Sequence, residues 1–198
     1  MNELTRRGLV SSAAVGAAVL AAGCGDDSND PAEGPPRADL DIVNYALTLE
    51  YLEEDFYEQV VRAGVLSGRE AALAELIRRN ESEHVVALRT AAKQLAGGSK
   101  DVAKAPKTDF SEVIDGGRDE VIRVAAQLEN TGAGAYLAEA GQIESPEILA
   151  SALSIHTVEA RHAAILNRLA GEPPLPDGAF AVALERAEVM GRIERYLV

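Results

Sequence analysis

The chain has 198 residues, with 32 acidic against 19 basic side chains, a formal net charge of −13 and a single cysteine, Cys24. So acidic a balance argues against nucleic acid and against docking on anionic lipid headgroups, and it concentrates cations instead. One cysteine excludes an intrachain disulfide.

Residues 1–23 read as an export leader. Arg6 and Arg7 form a twin-arginine pair in Thr5-Arg6-Arg7-Gly8-Leu9-Val10, and small and apolar residues follow from Gly8 to Gly23. That run is too short to span a bilayer as a stable helix. Ala21-Ala22-Gly23-Cys24 then looks like a lipobox, with Leu20 one place further upstream than the usual pattern. Cys24 is the expected lipid-attachment site. The expected location is therefore the extracytoplasmic face of the cell membrane, held by a lipid anchor alone. Residues 24–38, rich in Asp, Pro and Gly, have no apolar period and read as a disordered acidic tether. Removing residues 1–23 takes away Glu3, Arg6 and Arg7, one net positive charge, and moves the total from −13 to −14.

Helical periodicity begins at residue 39, where Asp39 or Asp41 is a candidate cap. Ile42, Ala46, Leu49, Phe56, Val60 and Gly64 recur on one stripe of a first helix. Ser67-Gly-Arg-Glu70 has capping-box spacing and opens a second helix, which Gly97-Gly98 stops. The short connection makes the two antiparallel neighbours. Residues 98–117 form a long loop, able to run the length of a bundle. A third helix spans about Asp119 to Ala140. Ser145-Pro146 opens a fourth, which ends at Gly171. After Pro173, Pro174 and Pro176, a short fifth helix is expected from about Ala179, with Leu184, Ala187, Met190 and Leu197 on one side. The fold class is all-α: two antiparallel hairpins joined by a long crossover over residues 39–172, then a Pro-rich turn and C-terminal helix over 173–198.

Two motifs stand on these helices, Glu81-x-x-His84 and Glu159-x-x-His162, each preceded by a glutamate about thirty residues upstream, Glu50 and Glu129. Positions i and i+3 share a helix face, so each Glu–His pair points one way. At 1.5 Å per residue, Glu50 and Glu81 lie roughly 20–24 Å either side of the first turn, hence at one level; Glu129 and Glu159 match likewise. All six sit within apolar stripes. Four buried carboxylates are costly without compensation, and two divalent cations carry the matching charge. Four glutamates and two histidines are also the ligand inventory of a di-iron or di-manganese carboxylate site in a four-helix bundle. Tyr57 and Tyr136 each follow a candidate glutamate by seven places, so they either hydrogen-bond the site, with a redox role open to them, or serve as core tyrosines. Glu53 and Glu54 read first as solvated charge, with ligation as the alternative. His156 is one turn before Glu159, a candidate neighbour of the site. Gly132 and Gly134 each weaken the third helix by about 1 kcal/mol and mark either an oxidant channel or close helix packing.

The runs LEYLEEDFY, ESEHV, LENTGAGAY and VEARHAAIL resemble the ferritin-like superfamily, especially exported bacterial ferritin-like domain proteins related to plant desiccation-related proteins. Rubrerythrin and manganese catalase are more distantly similar. The resemblance implies a four-helix bundle in which Glu50, Glu81, His84, Glu129, Glu159 and His162 bind two metal ions, with Glu81 and Glu159 bridging. Iron is the first expectation and manganese the alternative. It implies reaction with dioxygen or hydrogen peroxide as a ferroxidase, peroxidase or dimanganese catalase, in an oxidative-stress role. No Cys-x-x-Cys pair is present, so a peroxidase cycle needs an external electron donor. A homodimer is compatible with this reading. The competing expectation is a non-catalytic envelope stress or binding protein whose metals are structural.

Overall fold

The computed structural model describes residues 37–198. The leader with Arg6 and Arg7, Cys24, and all but the end of the tether lie outside the described residues. Residues 37 and 38, placed in the tether by their composition, are already helical.

Helices α1 (Arg37–Ala63) and α2 (Gly68–Leu95) form the first hairpin. Gly64, at φ +66, ends α1 in a left-handed turn that a side chain would strain. Helices α4 (Gly117–Ala140) and α5 (Pro146–Leu169) form the second hairpin. Ser145 caps α5 as expected, its hydroxyl accepting from the Ile148 N–H at 3.3 Å. Two expected caps have other employment. Glu70 does not close a capping box with Ser67, because its carboxylate accepts from Arg118, at 3.1 Å from Nε. Asp39 lies inside the first turn of α1, buried, and clasps the α4–α5 connection by accepting from the Glu144 and Ser145 N–H groups, both at 2.9 Å.

The crossover tracks α1. Asn44 donates to the Asp101 carbonyl and accepts from the Ala103 N–H, both at 2.8 Å. Further along, Thr108 donates to Asp55. A short helix the sequence pattern did not announce, α3 (Ser111–Asp115), precedes α4. Phe110 anchors it, packed edge-on against Phe56 at 5.0 Å between centroids. The third long helix therefore runs parallel to α2 and antiparallel to α1, the arrangement the long connection predicts. Among the described residues the bundle carries no strand, only an isolated bridge between Thr108 and Leu197, and no helix long and apolar enough to cross a membrane.

The C-terminal helix is shorter than expected. Helix α6 spans Arg186–Ile193, followed by a 3₁₀ turn at Glu194–Tyr196. Its start moves because the preceding chain is pinned to α4: the Leu184 N–H donates to the Gly134 carbonyl at 3.0 Å. The later start rotates the buried face, which is Val189, Ile193 and Tyr196 with Leu184, while Ala187 and Met190 are exposed. These four residues join the core formed by α1 and α4. Arg186 ties the segment down, donating to both Glu139 oxygens at 2.8 Å and stacking over Tyr45 at 4.6 Å.

Gly134 resolves as a packing residue. A Cβ there would lie 2.6 Å from Leu184 Cγ. Gly134→Ala gains about 1 kcal/mol of helix propensity but overpacks by about 1–3 kcal/mol. A net loss of up to about 2 kcal/mol is expected in urea denaturation, with Tm lower by up to roughly 8 °C; an increase in stability contradicts the packing role.

Candidate metal centre

The bundle brings all six candidate residues together. Two groups form, Glu50, Glu81, His84 and Glu159 on one side and Glu81, Glu129, Glu159 and His162 on the other, each offering ligand atoms within 4.8 Å of one another. Glu81 and Glu159 belong to both. All four glutamates are fully buried, His162 is 5% exposed and the His84 side chain 12%.

The contacts are not those of ordinary ion pairs. His84 Nδ1 lies 3.1 Å from Glu50 Oε2, 3.0 Å from Glu81 Oε2 and 3.1 Å from Glu159 Oε1. One ring nitrogen has one proton or one lone pair, so it cannot satisfy three carboxylates. His162 Nδ1 lies 3.1 Å from Glu129 Oε2 and 3.2 Å from Glu81 Oε1. Glu81 Oε1 and both Glu159 oxygens are buried without a hydrogen-bond partner. Orphaned carboxylate oxygens converging on imidazole nitrogens fit a pair of cations held by nitrogen and oxygen donors.

Glu50 and Glu129 are held alike. Tyr136 donates to Glu50 Oε1 at 2.6 Å and Tyr57 to Glu129 Oε1 at 2.5 Å, leaving the other oxygen of each carboxylate to face a histidine. The two tyrosines do hydrogen-bond the site, but crosswise: each serves the glutamate of the other hairpin, because α1 and α4 lie antiparallel in contact. Burial first, then the adjacent carboxylate, pushes both phenols well above their usual range, so they remain protonated donors.

Sequence reasoning missed two partners. Asn80 Nδ2 lies 3.1 Å from His162 Nε2. Were Nδ1 to hold a metal, Nε2 would carry the proton and Asn80, with its amide turned to present Oδ1, would accept it and fix the ring. Asn80 adjoins Glu81 in sequence, but its reach across to α5 has no linear signature. Glu53, read first as solvated, is 3% exposed, and its Oε2 has no partner. Gly132 makes its room: a Cβ there would lie 3.0 Å from Glu53 Oε1 and 3.6 Å from Glu159 Oε2. Glu53 is three residues past Glu50, which a helix turns into the same face. Glu54 is half-buried. His156 belongs to neither ligand group; its Nδ1 lies 3.0 Å from the Ala133 carbonyl oxygen.

This arrangement defines a class: an all-α bundle with a buried carboxylate–histidine cluster that could hold metal ions. A family model, the ferritin-like domain, matches residues 38–172, and the chain belongs to that family. Comparison with the curated proteins finds no match.

Charge is balanced by protons in the metal-free cluster. Burial lowers the basicity of His84, but Glu159, Glu50 and Glu81 together override it and raise the ring to about 12. Glu129 and Glu81 likewise override burial at His162 and raise it to about 10. Burial and then Glu159 raise Glu81 to about 7. Metal must displace these protons, so affinity is expected to strengthen as pH rises from 5.5 to 7.5, with about two or more protons released per loaded chain in weak buffer. Binding independent of pH contradicts that balance.

Burial, then Glu159 and Glu129, also pushes Glu53 well above 4.5. A raised carboxyl binds more protons folded than unfolded, so the metal-free protein loses stability as pH climbs above that value. Glu53→Gln removes one such group. At pH 7 it is expected to stabilise the metal-free protein by about 1–3 kcal/mol and to flatten the decline between pH 5 and 8; an unchanged slope in pH-dependent urea melts contradicts this.

Proposed function

We propose that the protein binds two metal ions, iron first and manganese as the alternative, and reacts with dioxygen or hydrogen peroxide in an oxidative-stress role. The observation that carries this reading is the pair of ligand groups sharing Glu81 and Glu159. His84 and Glu50 would hold one ion and His162 and Glu129 the other, with Glu81 and Glu159 between them. Two ferrous ions would together supply two electrons, enough with two protons to take dioxygen to hydrogen peroxide or hydrogen peroxide to two waters.

The chain supplies position and enclosure. Tyr57 and Tyr136 fix one oxygen of Glu129 and Glu50, so the other stays aimed at a histidine. Asn80 orients His162. Full burial of the glutamates excludes bulk water and strengthens every charge interaction at the site. Export by the twin-arginine route and anchoring through Cys24 belong to this proposal, resting on residues 1–24 alone. That route carries folded proteins, which would let metal load before export. A repeated peroxidase cycle would draw electrons from an external donor.

The test is to load the full chain with ferrous iron without oxygen and mix it rapidly with dioxygen or hydrogen peroxide. A di-ferric absorption band is expected within seconds, and loss of at least roughly 100-fold in rate in Glu81→Ala and His162→Ala, since losing even a residue that supports a metal ligand costs about 10–100-fold. Tight metal binding with no oxidation by either reagent supports instead a structural metal role.

A further inference from the structure

Beside the carboxylate layer the bundle holds a cavity of about 80 Å³. Its wall includes Ala46 of α1, Leu88 and Ala91 of α2, Tyr136 of α4, and Ala152 and Ile155 of α5. Ala46 lies one turn before Glu50, Leu88 one turn after His84 and Ile155 one turn before Glu159. The cavity is therefore about 6 Å from the ligand layer along the bundle axis. Tyr136 belongs to both: its ring lines the cavity and its hydroxyl donates to Glu50. Ala87 and Ser151, both exposed, place the mouth between α2 and α5.

The chemistry of the wall selects its occupant. It is apolar almost throughout: the charge it includes, Glu139, is already engaged by Arg186, and Tyr45 brings a buried hydroxyl without a partner. Hydrogen peroxide, with two O–H groups and two acceptor oxygens, would leave its hydrogen bonds to water for a wall whose free polar group is the Tyr45 hydroxyl, a cost of roughly 1–3 kcal/mol for each polar group left unpaired. Dioxygen has no such bonds to lose. Apolar cavities of about 150 Å³ take up benzene or xenon, so one near half that volume suits a diatomic gas rather than an acyl chain. We propose that this cavity is the docking and entry pocket for dioxygen, making dioxygen rather than hydrogen peroxide the oxidant that the α2–α5 mouth admits. The proposal rests on the oxidative reading of the metal centre given above.

Two measurements test it. Xenon pressed into crystals of the metal-free full chain is expected to occupy the cavity, an outcome that needs no metal chemistry. In the ferrous protein, Ala152→Leu fills the interior, and Ala91→Leu narrows the half-buried edge should the interior change disturb folding. Each is expected to slow oxidation by dioxygen at least tenfold, with iron stoichiometry unchanged and the hydrogen peroxide rate within twofold of the parent. Absence of xenon, an unchanged dioxygen rate in both variants, or equal slowing of both oxidants overturns the proposal. If the parent ferrous protein reacts with neither oxidant, the oxidative reading falls and this use of the cavity with it; xenon in the cavity would then locate the failure in the metal chemistry.

Discussion

Six ionisable side chains meet at one level in the core of this bundle, and their mutual charge is the constraint from which the surrounding structure follows. Isolated carboxylates at this depth would each cost several kcal/mol. Here the cost is offset locally. Without metal, protons on the imidazoles and on raised carboxyls such as Glu159 balance the charge. With metal, two divalent cations would replace those protons. Either way Glu50 and Glu129 need donors, which explains two buried tyrosine hydroxyls reaching the carboxylate layer. The glycine facing Glu53 follows from the same crowding: a side chain at position 132 would press on the fifth carboxylate, which would have to give way by a few tenths of an ångström.

The arrangement is close to two-fold symmetric. Glu50, His84 and Tyr136 mirror Glu129, His162 and Tyr57, and the duplication is already present as matched spacings in the two halves of the sequence. The symmetry breaks at Glu53, whose counterpart in the second half is Gly132 itself, three residues past Glu129. One half therefore carries an extra carboxylate, and the other carries the gap that admits it.

What the sequence disclosed follows from helical geometry. Spacing of three residues maps directly onto one helix face, so the two Glu–His pairs were legible, and equal arm lengths put the four glutamates at one level. What it hid depends on relations between helices. The crossed tyrosine bonds require the register of α1 against α4. Asn80 acts across the gap to α5. Glu53 was obscured by its neighbours, because Glu53-Glu54-Asp55 reads as a wet face although only part of it is exposed. At the C-terminus, periodicity suggested too early a start, since a backbone hydrogen bond to Gly134 keeps the chain out of helix until Arg186. The five-residue α3 is too short for any period to announce, and Arg118, far away in sequence, claims the Glu70 carboxylate that local spacing assigned to a cap.

On the function proposed above, these six side chains hold two metal ions, with Glu81 and Glu159 common to both. Anomalous X-ray scattering at the iron and manganese edges, from crystals of the metal-loaded full chain, tests it most directly. Two peaks are expected in the bundle core, one bounded by Glu50 and His84, the other by Glu129 and His162, with Glu81 and Glu159 reaching both. A core without a peak, or metal bound only at the acidic surface, would contradict it.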